Sequence, residues 1–469
     1  MSDFAFVPAT ELLDRLRRRA ISPVELMQAT LDRAARLQPS LHAFMTVDHE
    51  GAMATARAAE AAIISGAAVG PLHGLPLPIK DLEQTAGLRT TFGSKFFADN
   101  VPREDGAVAG RLRAAGAILF GKTNTPHFGH KEMSDNMLMP ATRNPWALDR
   151  TAGGSSGGAA SAVAAGAVPV AHGSDGAGSI RIPAAFCGVF GFKPSFGRVP
   201  YWPNQDFWAA RSHNGPLSRT VRDAALVLGA MAGPDPRDPM SLSDPPEDYV
   251  AACDGDVRGW RVAWSADFGY APVDGEVRAL TTQAAQRFID LGCTVEEVRP
   301  TWPNPAGWAS LLWDYSTYIR NAGREAQQPD WFEPSMREQI EHGRQATATE
   351  LGAALLERTV LYEQLRQFME PFDLLLTPQM PCPAYPYDAA VTEIDGRPTP
   401  TMFDRLPFTF PFNLTGWPAA SVPCGFTSGG LPVALQIVAP WRQDGRCLRA
   451  AAAFEAAQPW AQQRPNLAA

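Results

Sequence analysis

Ser22-Pro23-Val24-Glu25 opens a run in which Leu26, Ala29, Leu31 and Ala34 recur among charged positions. A serine cap, a proline in the first turn and a glutamate three residues after the cap predict a helix start. Over residues 107–199 the pattern changes, and short apolar runs alternate with helical segments and glycine turns. That alternation predicts a layered α/β sheet. "AILF" (117–120), "AVPVAHG" (167–173) and "GVFGFK" (188–193) read as buried strands, and 158–166 as a buried helix.

Aromatics and prolines at 201–216 interrupt the pattern, and a second α/β stretch follows. It holds a strand in "RVAWSADFG" (261–269), an amphipathic helix over 274–291, a strand in "CTVEEV" (293–298), and mostly helix over 305–370. "DLLLTPQMPCPAYP" (373–386) begins as a strand and passes into a proline-rich loop, 379–411, expected on the surface. "AASVPCGF" (419–426) and "LPVALQIVAP" (431–440) read as paired closing strands. No repeat, charge block or linker divides the chain, which predicts one interwoven domain. Its parts are N-terminal helices (1–65), a core (66–230), a variable, mostly helical region (231–370) and a closing segment (371–469).

At 469 residues with 45% hydrophobic and 19% charged positions, the composition is that of a globular protein with a sizeable core. A formal charge of -8 argues against a nucleic-acid-binding surface, which would be basic. The N-terminus lacks the apolar stretch of a secretory signal, and no segment has the length and apolarity of a membrane span, so no membrane partner is expected. The six cysteines (187, 253, 293, 382, 424, 447) fall into neither CxxC pairs nor metal-ligand spacing. A reduced, cytoplasmic protein without metal or cofactor is the reading.

Three motifs compete for the chemistry. Gly116-Ala-Ile-Leu-Phe-Gly121-Lys122-Thr123 fits the phosphate-loop pattern, but its four middle residues are apolar and read as strand rather than as an amide-presenting loop. Gly154-Ser155-Ser156-Gly157-Gly158 fits a nucleophile elbow centred on Ser156. The preceding "NPWALDRTA" does not read as the required strand, and the late histidine of that class is missing, His342 being the last. The third reading takes the two serine–glycine islands, 153–158 and 173–179, together. Glycine-rich turns can gather backbone N–H groups around a developing oxyanion. Lys80, between prolines and aliphatics in "GLPLPIKDLE", could be desolvated into a base, or could simply pair with Asp81. His127, His130 and His172 lack a metal-ligand pattern and read as structural.

At this point the chain resembles the amidase signature family. The resemblance is carried by "GLPLPIKD" (74–81), "GKTNTPHFG" (121–129), "TRNPWALDRTAGGSSGGAASAVAAG" (142–166) and "GSDGAGSIRIPAAFCGVFGFKPSFGRVP" (173–200). It continues through "HNGPLSRTVRDAALVL" (213–228), "PFNLTGWPAASVPCGF" (411–426) and "LPVALQIVAP". The resemblance implies a central mixed β-sheet covered by α-helices on both faces, and a Ser–cis-Ser–Lys triad. Carried over by motif, Ser179 is the nucleophile, Ser155 the bridging serine after a cis peptide bond, and Lys80 the base. The backbone N–H groups of Gly176, Ala177, Gly178 and Ser179 would form the oxyanion hole, with Ser156, Ser174, Asp175 and Arg181 fixing the loops. Ala177 stands where the family usually has glycine, which excludes a left-handed backbone there.

The resemblance implies hydrolysis of a small amide, with carbamate cleavage by the same attack as an alternative and a homodimer as a family-level expectation. "GSDGAGSIRIP" resembles members acting on aryl amides, nylon oligomers and carbamates more than the glutaminase component of glutamyl-tRNA amidotransferase. The pocket wall is expected from the variable loops 131–141, 200–212, 305–345 and 379–407. Met133, Met139, Trp202, Trp208 and Phe403 are its candidate residues, beside Met137, Tyr201, Phe207 and Trp313. Together they predict an apolar or aromatic substrate group.

Overall fold

The computed structural model describes residues 4–205, 211–389 and 391–467, so Phe207 and Trp208 lie outside the described residues. Its centre is an eight-stranded mixed sheet. The strands are β1 (Val170–Asp175), β2 (Phe190–Lys193), β3 (His213–Ser218), β4 (Arg261–Trp264), β5 (Thr294–Glu297), β6 (Leu374–Pro378), β7 (Ala419–Phe426) and β8 (Pro432–Val438). Their spatial order is β5-β4-β6-β8-β7-β2-β3-β1. The β5–β4–β6 edge is parallel and the rest antiparallel. The two expected closing strands pair directly, Ser421 opposite Gln436.

Every residue of β6 and β8 is buried. Successive side chains of a strand point to opposite faces, so both faces of the sheet are covered. The covering helices include Arg181–Cys187, Val221–Met231, Gly275–Asp290 and Asp444–Ala457. Among the described residues no helix is long and apolar enough to cross a membrane.

The capping box at Ser22 forms as read: Ser22 Oγ accepts from Glu25 N, and Glu25 returns the bond to Ser22 N. The 305–370 segment is helical over Ala306–Gln327, Pro334–Gln345 and Ala348–Met369.

Three local expectations are corrected. Residues 117–120 are buried, but the ladder begins one residue later, at Gly121–Thr123. That strand belongs to a small separate sheet with Phe44–Val47 and Ile79–Lys80. Upstream, Ile118 makes an isolated bridge to Pro76; Pro76 and Pro78 cannot donate to a ladder, and the continuous pairing is confined to Ile79 and Lys80. Second, "NPWALDRTA" does contain a strand, Ala147–Thr151, which pairs with Arg143–Asn144 in a two-stranded hairpin, makes an isolated bridge from Arg150 to Pro386, and does not enter the main sheet. Third, the 379–411 loop is not confined to the surface. Met380, Tyr385, Phe403, Leu406, Phe408 and Phe410 are buried in the main core, because apolar side chains outweigh the turn residues between them.

Candidate active site

Lys80 stands on the short Ile79–Lys80 strand, paired with Thr123, and is fully buried. Its Nζ donates to Ser155 Oγ at 2.8 Å and to the Ser174 carbonyl at 3.1 Å. Burial pushes the amine down to about 7, against the opposing pull of the Asp175 carboxylate. The alternative pairing with Asp81 is not made, since the Asp81 carboxylate accepts from the Thr91 amide and hydroxyl instead.

The Gly154–Ser155 peptide bond is cis, as the resemblance implies. Ser156 caps the buried Gly157–Ala164 helix and ties the two islands together. Its Oγ donates to the Ser174 carbonyl (3.2 Å) and accepts from the Ser174 amide (3.3 Å), while its amide donates to the Ser179 carbonyl (3.1 Å). Ser174 thus fixes the loops through its backbone. Its side chain, with those of Ser155 and Ser179, faces a cavity of about 470 Å³.

Asp175 organises the loop between β1 and the Arg181–Cys187 helix. Its carboxylate accepts from the amides of Gly178 (2.7 Å) and Ile180 (3.1 Å), from Arg181 Nε and Nη2 (3.0 Å each) and from Asn413 Nδ2 (2.8 Å). Burial disfavours its ionised form, but the Arg181 guanidinium holds it well below the usual carboxylate range. Arg181, fully buried, spends its remaining donors on Thr409 O, Gln436 Oε1 and Asn413 Oδ1. Arg181→Met leaves that carboxylate buried without its charge partner and is expected to cost about 3–5 kcal/mol in urea unfolding.

The loop expected to hold the oxyanion departs from expectation at one amide. The Gly178 amide is committed to Asp175, whereas those of Gly176, Ala177 and Ser179 meet no protein acceptor among the described residues. The positive backbone angle falls at Gly178 (φ 124°) and not at Ala177, so the alanine sits without left-handed strain. A Cβ at 178 would come within 2.7 Å of the Thr409 side chain. Gly178→Ala should displace the loop and lower kcat/KM about 10²-fold or more, the scale of losing one oxyanion donor.

Of the three histidines, His130 lines the cavity and His127 and His172 do not. His172 accepts the Lys80 amide at Nδ1 (3.4 Å) and faces Asn214 Oδ1 through Nε2 (3.2 Å), with burial pushing it down to about 3. His127 is lowered to about 4 by burial, and His130 is likewise held neutral. Lys122 of the phosphate-loop match is buried and donates to the Glu83 carbonyl and Thr85 Oγ1.

The pocket wall departs most from expectation. Tyr201 and Trp313 line the cavity, but Met133, Met139, Trp202 and Phe403 do not. Met133 packs on the main core, and the Met139 amide closes a turn on Asn136. The Trp202 ring lies under the Arg237 guanidinium at 4.1 Å. Phe403 stands behind the wall, edge-on to Trp313 at 6.0 Å. The lining missed by sequence reasoning is partly aromatic (Phe92, Phe97, Phe128) and partly strongly polar (Arg211, Arg320, Asn321, Arg324). One signal lay in the sequence: 313, 317, 320, 321 and 324 recur at helical spacing on one face of Ala306–Gln327.

The chain with this site belongs to the amidase family, whose Amidase model matches residues 25–448. An acylamidase from Rhodococcus erythropolis is 40% identical over 471 residues, covering 98% of this chain and 97% of that protein. A glutamyl-tRNA(Gln) amidotransferase component from Roseiflexus sp. (strain RS-1) is 36% identical over 478 residues, covering 97% of each. The crystal structure of a bacterial aryl acylamidase of the amidase signature family superposes with a TM-score of 0.94 at 31% identity, covering 98% of both chains.

Proposed function

We propose that this protein hydrolyses the C–N bond of small amides through an acyl-enzyme on Ser179. The observation that carries the reading is the 2.8 Å contact from a buried lysine, lowered to about 7, to the serine that shares a cavity wall with Ser179. With its amine uncharged, Lys80 can take the Ser155 proton across that contact, while Ser155 takes the proton of Ser179. The Ser179 Oγ then attacks the carbonyl carbon. The amides of Gly176, Ala177 and Ser179 receive the oxyanion as it forms. The proton returns through Ser155 to the leaving nitrogen, and water, activated by the same relay, hydrolyses the ester.

The acylamidase relative and the aryl acylamidase superposition support an amide substrate over the glutaminase role. The test is a chromogenic acyl anilide offered to the purified chain alone, with Ser179→Ala as blank and aryl carbamates and nylon oligomers in the same panel. Release of the aniline without glutamine or a partner protein is expected. Turnover only of glutamine, and only with a partner, would overturn the reading in favour of an amidotransferase component.

A further inference from the structure

We propose that the cavity selects amides that carry a carboxylate at the end remote from the scissile bond, with Arg324 as the residue that recognises it. This rests on the amide-hydrolase reading and names its substrate class.

The helix Ala306–Gln327 runs along the cavity and turns Trp313, Thr317, Arg320 and Arg324 towards it. Arg211 brings a third guanidinium. Among the described lining residues there is no aspartate or glutamate. The other titratable groups facing the cavity do not supply negative charge either. Burial keeps His130 neutral and raises the Tyr201 phenol. Three arginines thus stand in the described wall of the cavity, Arg211 and Arg320 each engaged in other interactions as well.

Arg324 is placed to receive a carboxylate. One Nη donates to the Arg320 carbonyl at 3.0 Å, and the neighbouring Glu325 pairs with Arg344 instead. Its guanidinium lies over the rings of Phe97 (5.5 Å) and Phe128 (5.8 Å), both cavity residues. Aromatic contact engages the face of a guanidinium and leaves its edge donors for a bidentate carboxylate.

The reacting end lies at the other end of this helix. A Cβ built on Gly176 would touch the Trp313 ring at 3.5 Å, so Trp313 marks the oxyanion loop. Arg324 follows eleven residues later, about 16 Å along the axis at 1.5 Å per residue. Long helical side chains lean back towards the N-terminus. The carboxylate therefore sits on the order of 10 Å from the scissile bond, the length of a medium alkyl chain or a substituted aryl group.

The test measures binding by isothermal titration to Ser179→Ala protein, which does not turn the ligands over. The first pair is the mono-4-nitroanilide of suberic acid against the 4-nitroanilide of octanoic acid. The second is N-acetyl-8-aminooctanoate against N-acetyloctylamine, which places the carboxylate on the amine side instead. In one of the two pairs the acid should bind about tenfold or more tightly, as one charge-assisted hydrogen-bonded contact allows. Arg324→Met in the same background should erase that ratio, and Arg324→Lys should retain part of it. Equal affinity within both pairs overturns the proposal, as does a preference that survives Arg324→Met. A wild-type chain that keeps the binding preference but cleaves neither anilide sinks the hydrolase reading alone.

Discussion

Ser179→Ala is expected to lower kcat on an acyl anilide by about four orders of magnitude or more, and Lys80→Met by a comparable amount. The two losses should not add. Members of one proton path act as a unit, so the double variant should be no slower than the worse single one. Lys80→Arg should not rescue, because a guanidinium stays protonated and cannot accept the Ser155 proton. The folded state is checked by thermal unfolding of each variant. Near-wild-type turnover in either single variant would contradict the relay.

The pH dependence gives the second large effect. Burial lowers the Lys80 amine to about 7, so the base form gains population as pH rises through that value. Below it, kcat/KM should fall about tenfold per pH unit; above it, the profile should level. An unperturbed lysine, near about 10.4, would leave activity still climbing at alkaline pH. Glu83, raised by burial to about 7, is the rival titrating group. The inflection should therefore survive Glu83→Gln. His172 cannot produce it, being lowered to about 3.

The elements that the structure brings together around Lys80 and Ser155 were legible because their signals are local. The serine–glycine islands, the proline-bounded lysine and the capping serine at 22 each sit within a few residues of what they specify. The loop 175–179 was only half legible. That Gly178 gives its amide to Asp175 depends on a loop conformation anchored by Thr409, Asn413 and Gln436, which lie more than two hundred positions away in the chain. The pocket was the least legible part. Residue type alone pointed to Met133, Met139, Trp202 and Phe403, yet tertiary contacts set Met133 and Phe403 against the core, Met139 on a turn with Asn136 and Trp202 under Arg237. Arginines on an amphipathic helix ordinarily read as a solvated face. Arg320 and Arg324 line a cavity because Ala306–Gln327 packs along it.

The central claim, that Ser179 is the nucleophile energised by an uncharged Lys80, has one direct measurement. The purified chain is treated with an aryl fluorophosphonate, and the modified peptide is located by mass spectrometry. The label is expected on Ser179, with its rate rising through pH 7 and lost in Lys80→Met. A label on Ser155 or Ser156, or labelling of Ser179 that is indifferent to Lys80, would contradict it.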